Sequence, residues 1–128
     1  MKKQGIEILA GKNRVYFGED KILYADFVGE LTVETLNLLY DFFNLNKSKM
    51  MVEGKVKILL DITSLGKPSM EARKLTYMLS LNKDIGKFAI IGLNPVARVI
   101  AAFFMGNSQK KDVKFFSTKE SAIEWLKE

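Results

Sequence analysis

The chain contains no cysteine and no histidine. Without cysteine it has neither a disulfide framework nor a thiolate nucleophile, and without histidine it lacks the commonest general base and the commonest metal ligand. A metal site would have to be built from carboxylates, which suits Mg²⁺ or Ca²⁺, and no acidic loop of the EF-hand kind is present. Neither a metal nor a cofactor is therefore expected. Gly29, Gly66 and Gly92 do not form a GxGxxG or Walker pattern, so the sequence offers no glycine-rich phosphate loop. Long apolar runs are also missing. The longest, Val99 to Met105, has seven residues against the roughly 20 needed to cross a bilayer. The opening Met1-Lys2-Lys3 is basic, but Ile6-Glu7-Ile8-Leu9 is too short and too charged for a secretory leader. A cytoplasmic location is expected.

With 128 residues, 48% of them hydrophobic and 11% aromatic, the chain has enough apolar surface for one ordinary core. No Pro-, Gly- or Ser-rich tract separates a second domain, so residues 1–128 read as one unit with residues 1–12 as a lead-in or edge strand. The net charge of +5 comes from scattered lysines, and arginine occurs only at positions 14, 73 and 98. Nucleic-acid readers concentrate Arg and Lys on one face among exposed aromatics, so no nucleic-acid partner is expected.

Arg14 to Phe17 and Ile22 to Val28, joined by Gly18-Glu19-Asp20-Lys21, read as an antiparallel hairpin. Thr32 then stands at a helix cap with Glu34 in the first turn. Val33, Leu36, Leu39 and Phe43 repeat at helical spacing to about Lys47. Val56 to Leu60, ending at Asp61, is nearly continuously apolar, as a strand buried on both faces requires. A loop from Ile62 to Pro68 leads to Ser69, which caps a second helix. Strand Phe88 to Ile91 is followed by the cap Asn94, Pro95 and a helix from Val96 to Met105. Strand Val113 to Phe116 leads into Ser117-Thr118-Lys119-Glu120, with capping-box spacing, and a terminal helix through Trp125. The order ββαβαβαβα predicts an open α/β layer fold, a mixed sheet of about five strands flanked by four helices.

The pieces Tyr24-Ala25-Asp26-Phe27-Val28-Gly29-Glu30-Leu31-Thr32, Ile58-Leu59-Leu60-Asp61-Ile62-Thr63, Phe88-Ala89-Ile90-Ile91-Gly92, and the ending Phe115-Phe116-Ser117 through Trp125-Leu126 resemble the SpoIIAA-like, or STAS, domains. The likeness is nearest to their stand-alone bacterial branch, also described as STAS/Sec14-like. It implies regulatory protein contacts, as in some members, or lipid or nucleotide binding, as in related ones. Anti-sigma antagonists carry a phosphorylated serine in an Asp-Ser-Ser-Gly context where this chain has Asp61 through Ser69. Here Pro68 precedes Ser69 and Met70-Glu71 follow it, so the motif is degraded. Ser69 reads as a structural cap or as a regulated serine, the former favoured.

In parallel α/β sheets the loops at the carboxyl ends of the strands gather on one edge. That edge should collect Asp61, Thr63, Ser64, Lys67 and Ser69 as a binding or regulatory loop. Asn94, Arg98, Ser117 and Thr118 would be anion contacts at helix N-termini, unless each merely caps or solvates its own helix. Asp61 has no partner visible in the sequence and reads as a loop-fixing residue. Leu38, Phe42 and Leu45, with Met50-Met51 beside them, widen the stripe on the first helix into an apolar contact face, core packing being the commoner explanation. No catalytic set emerges. The reading is a non-catalytic regulatory interaction module, a degenerate anti-sigma-antagonist-like switch bound to a protein partner or to itself as a homo-oligomer. The alternative is a carrier of a small apolar ligand or lipid of Sec14-like type.

Overall fold

The computed structural model describes residues 3–10, 13–29, 32–51, 54–65, 70–71, 74, 82–92 and 112–128, with backbone alone at 3–10, 65 and 112. Their centre is a six-stranded sheet. β2 (Asn13–Gly18) runs antiparallel to both its neighbours, β1 (Lys3–Ala10) and β3 (Ile22–Gly29); β4 (Val56–Leu65), β5 (Ile85–Ile91) and β6 (Asp112–Phe116) follow β3 in parallel. The sheet is mixed, as expected, and the lead-in segment pairs along β2 as its edge strand, the sixth.

The β2–β3 hairpin turns where the sequence predicts. Lys21 adopts φ 67° and donates its amide to the Gly18 carbonyl at 3.0 Å, which reverses the chain tightly enough to pair Phe17 with Leu23. Helix α1 (Val33–Met50) starts at Thr32, whose Oγ1 accepts the Thr35 amide at 3.2 Å and so satisfies one of the first-turn donors. Glu34 lies in its first turn and Lys47 and Lys49 in its last, both favourable to the helix dipole. It runs past Lys47 because Met50 is buried and Met51 packs against the core, which makes both methionines interior packing groups rather than an adaptable contact surface.

β4 also exceeds expectation. It continues through Ile62, Thr63, Ser64 and Leu65, where a loop is predicted, because Val28 and Gly29 of β3 pair with Ser64 and Leu65. Two helices have bounds among the described residues, α1 and the terminal α2 (Lys119–Lys127), where four are expected. The predicted helix from Val96 lies outside the described residues. So does most of the predicted helix after Ser69, although the backbone at Met70, Glu71 and Lys74 is helical.

Successive strand residues point to opposite faces, and the two faces differ in kind. On one, Phe17, Leu23, Ala25, Phe27, Ile58, Leu60, Ile62, Phe88 and Ile90 pack with Leu36, Leu39, Phe42 and Phe43 of α1. On the other, Tyr16, Ile22, Tyr24, Leu59, Ala89 and Ile91 pack with Ala122 and Leu126 of α2. Residues Ile22 to Ala25 are buried throughout, as are Ile58 to Leu60, so β3 and β4 are central strands covered on both sides.

Candidate functional site

The α2 face carries the polar chemistry. Arg14 of β2 is in register with Asp26 of β3, and Asp26 is in register with Asp61 of β4, which sets a cation and two carboxylates in a row across three strands. Neighbouring strands lie about 4.8 Å apart, so residues in register on one face are side by side. Arg14 stacks its guanidinium 4.2 Å from the Tyr16 ring centroid, and Tyr16 stacks on Tyr24 with centroids 5.0 Å apart and planes within 6°. Lys119, in the first turn of α2, holds its ammonium 5.3 Å from the Tyr24 ring. The Tyr24 hydroxyl donates to Asp20 Oδ2 at 2.5 Å. Burial, that hydrogen bond and the Asp20 charge together push the Tyr24 phenol above its ordinary range.

Asp26 is partly buried in the middle of this row, and its Oδ1 is enclosed with no hydrogen-bond partner among the described residues. Burial pushes its carboxyl above the usual carboxylate range; Asp61 adds to the rise, whereas Lys119 and Arg14 oppose it. Asp61 is placed differently. Between the Asp26–Asp61 and Val28–Ser64 pairs β4 carries one more residue than β3, a bulge at Ile62-Thr63. Asp61 Oδ1 accepts the Thr63 amide there at 3.0 Å. The carboxylate does fix the backbone that follows it, but that backbone is a bulged strand and not a loop, and its neighbour Asp26 is the partner the sequence leaves unseen.

Among the predicted loop residues, Thr63 and Ser64 are exposed at the exit of β4, one step beyond fully buried Ile62. Lys67 and Ser69 lie outside the described residues, as do Asn94 and Arg98. Ser117 and Thr118 are exposed before α2. The cap is Thr118 and not Ser117: Thr118 Oγ1 accepts the Ser121 amide at 3.2 Å and donates to Ser121 Oγ at 2.8 Å, which commits its hydroxyl within the helix start. The register from Asp61 through Ile91 to Phe116 brings the start of α2 to the same end of the sheet as Thr63 and Ser64.

The apolar face expected on α1 is divided. Phe42 is core, Leu38 is half-buried, and Leu45 is 82% exposed beside a surface depression of about 340 Å³ lined by Asp41, Phe42, Asn44 and Leu45. Arg14, Asp26 and Lys119 are the site residues that sequence reasoning missed. The available signal was Asp26 itself, a charge inside the otherwise apolar run from Ile22 to Val28. Among the described residues no group of three or more His, Cys, Asp or Glu is placed to hold a metal ion, and no helix is long and apolar enough to cross a membrane.

A family model described as SpoIIAA-like matches residues 22–127, so the chain belongs to the SpoIIAA-like family. Solved structures share the fold, among them these two. An uncharacterized protein of the DUF3478 family with a SpoIIAA-like fold, from Shewanella loihica PV-4, is 25% identical with a TM-score of 0.59, over 94% of this chain and 90% of that one. The anti-sigma factor antagonist SpoIIAA in its unphosphorylated form is 14% identical with a TM-score of 0.61, over 89% of this chain and 96% of that one. No curated protein matches the chain.

Proposed function

We propose that this SpoIIAA-like chain is a non-catalytic, cytoplasmic regulatory module that binds a protein partner, or a second copy of itself, at the end of the sheet where β4 exits and α2 begins. The observation that carries the proposal is the abrupt change along β4 from buried Ile62 to exposed Thr63 and Ser64, just past the bulge that Asp61 secures. A strand that surfaces this way offers short hydroxyl side chains on a backbone held by its neighbours, which suits specific contact at little conformational cost. Lys67 and Ser69, outside the described residues, follow in the chain and are the loop residues that the sequence suggests for the same contact. Ser117 and Thr118 lie at the start of α2 beside it, Thr118 contributing through the helix start and not through its committed hydroxyl, and Asn94 and Arg98, outside the described residues, are the further anion contacts that the sequence suggests for it.

Native mass spectrometry of the gently purified protein tests this reading, since one spectrum reports oligomeric mass, bound small molecules and phosphate together. A ligand-free dimer that reverts to monomer in a Thr63→Arg/Ser64→Arg variant of unchanged melting temperature supports it. A monomer at all concentrations that captures no partner counts against it. Exposed Leu45 and the adjoining depression favour a second reading, a carrier of a small apolar ligand, and the depression falls at the low end of ligand-pocket volumes. A discrete apolar adduct on a monomer, lost in Leu45→Asp, is the outcome that selects the carrier.

A further inference from the structure

The carboxyl row raises a question separate from partner binding: what Asp26 does with an enclosed oxygen that nothing among the described residues satisfies. A buried acceptor without a donor costs on the order of 1–3 kcal/mol, and native structures rarely leave one without a compensating role. Two carboxylates in register on adjacent parallel strands add like-charge repulsion, since both occupy one face at strand spacing. One proton leaves a single negative charge between the two residues, which relieves the repulsion, and it makes the enclosed Asp26 group neutral, which lowers the cost of burying it.

We propose that Asp26 and Asp61 form a proton-holding pair, in which mild acidification seats one proton on the Asp26 carboxyl beside the Asp61 carboxylate and tightens the β3–β4 junction at the head of the bulge. Asp61 Oδ1 accepts the Thr63 amide, which holds that side chain against the bulge. Among the described residues, the groups around the pair are Arg14 from β2, Tyr24 on β3 itself and Lys119 from α2; the residues in register further along the row, Ile91 and Phe116, carry no charge. Arg14 and Lys119 work against protonation of Asp26, yet burial outweighs them. Arg14 is also engaged on the Tyr16 ring and Lys119 lies over Tyr24.

The sign of the linkage follows. A carboxyl whose folded value is raised binds more protons in the folded chain than in the unfolded one between the two values, so stability grows as pH falls through the folded value and levels off below the ordinary one. The direct test is a ¹³C carboxyl NMR titration of the wild-type protein and of Asp61→Asn. Asp26 is expected to titrate above the ordinary 3.8 in the wild type and to move down toward it in Asp61→Asn. Denaturation midpoints of Asp26→Asn provide a second reading: higher than wild type at neutral pH, with the gap closing as the medium is acidified. Titration of Asp26 at or below the ordinary value, or a titration unmoved by Asp61→Asn, overturns the proposal. The wild-type titration decides even if a variant fails to fold.

Discussion

The two faces of the sheet are built from the same strands and do different work. The α1 face is apolar from Phe17 on β2 to Phe88 on β5, and its aromatic and aliphatic side chains close on α1 with under 4% exposure. The α2 face begins the same way, with Leu59, Ala89 and Ile91 under Ala122 and Leu126, and then gives way to stacked tyrosines, Arg14, Lys119 and two carboxylates. Burial on the first face supplies stability that the second face spends on polar groups.

Substitutions can break or sharpen this contrast. Phe43→Ala, on the α1 face, should cost about 3–5 kcal/mol by chemical denaturation, and Leu126→Ala, in the smaller cluster, nearer 2 kcal/mol; equal losses would erase the distinction between the faces. Tyr24→Phe should cost about 1 kcal/mol by removing the bond to Asp20. Because the folded phenol is raised, Tyr24 stays protonated when the unfolded chain has begun to ionise, so wild-type stability falls as pH climbs past 10.0. In Tyr24→Phe this alkaline loss should shrink, read as a flatter plot of denaturation midpoint against pH. Thr32→Ala and Thr118→Ala should each cost about 1 kcal/mol in thermal unfolding, as lost N-caps do. Leu45→Ser should change stability by no more than about 0.5 kcal/mol, and a larger loss would mean that the depression beside it is filled by packing in the free protein.

Much of the fold was legible because local signals agreed. The apolar run from Val56 to Leu60 marks a doubly covered strand, and Thr32 followed by Glu34 marks a helix start. What escaped depended on contacts between segments distant in sequence. Thr63 and Ser64 look like loop residues and are strand because β3 extends alongside them. Ser117 and Thr118 can each cap a helix, and the end of β6 at Phe116 leaves the cap to Thr118. The stripe on α1 is too wide to face one partner, so packing alone sorts Phe42 inward and Leu45 outward. The site was least legible of all, because Asp26 and Asp61 become neighbours only through the crossover that α1 makes between their strands.

The spatial order of the strands repeats their order along the chain. A growing polypeptide can therefore lay each strand against the one made just before it, starting from a hairpin whose contacts are local, and never has to insert a late strand between two early ones. Low sequence separation of pairing partners favours fast folding, and the edge left waiting at each stage is covered by the next segment to emerge, which limits the exposure that leads incomplete chains to aggregate. Pulse-labelling hydrogen exchange during refolding should accordingly find the amides of the β2–β3 hairpin protected before those that pair β5 with β6.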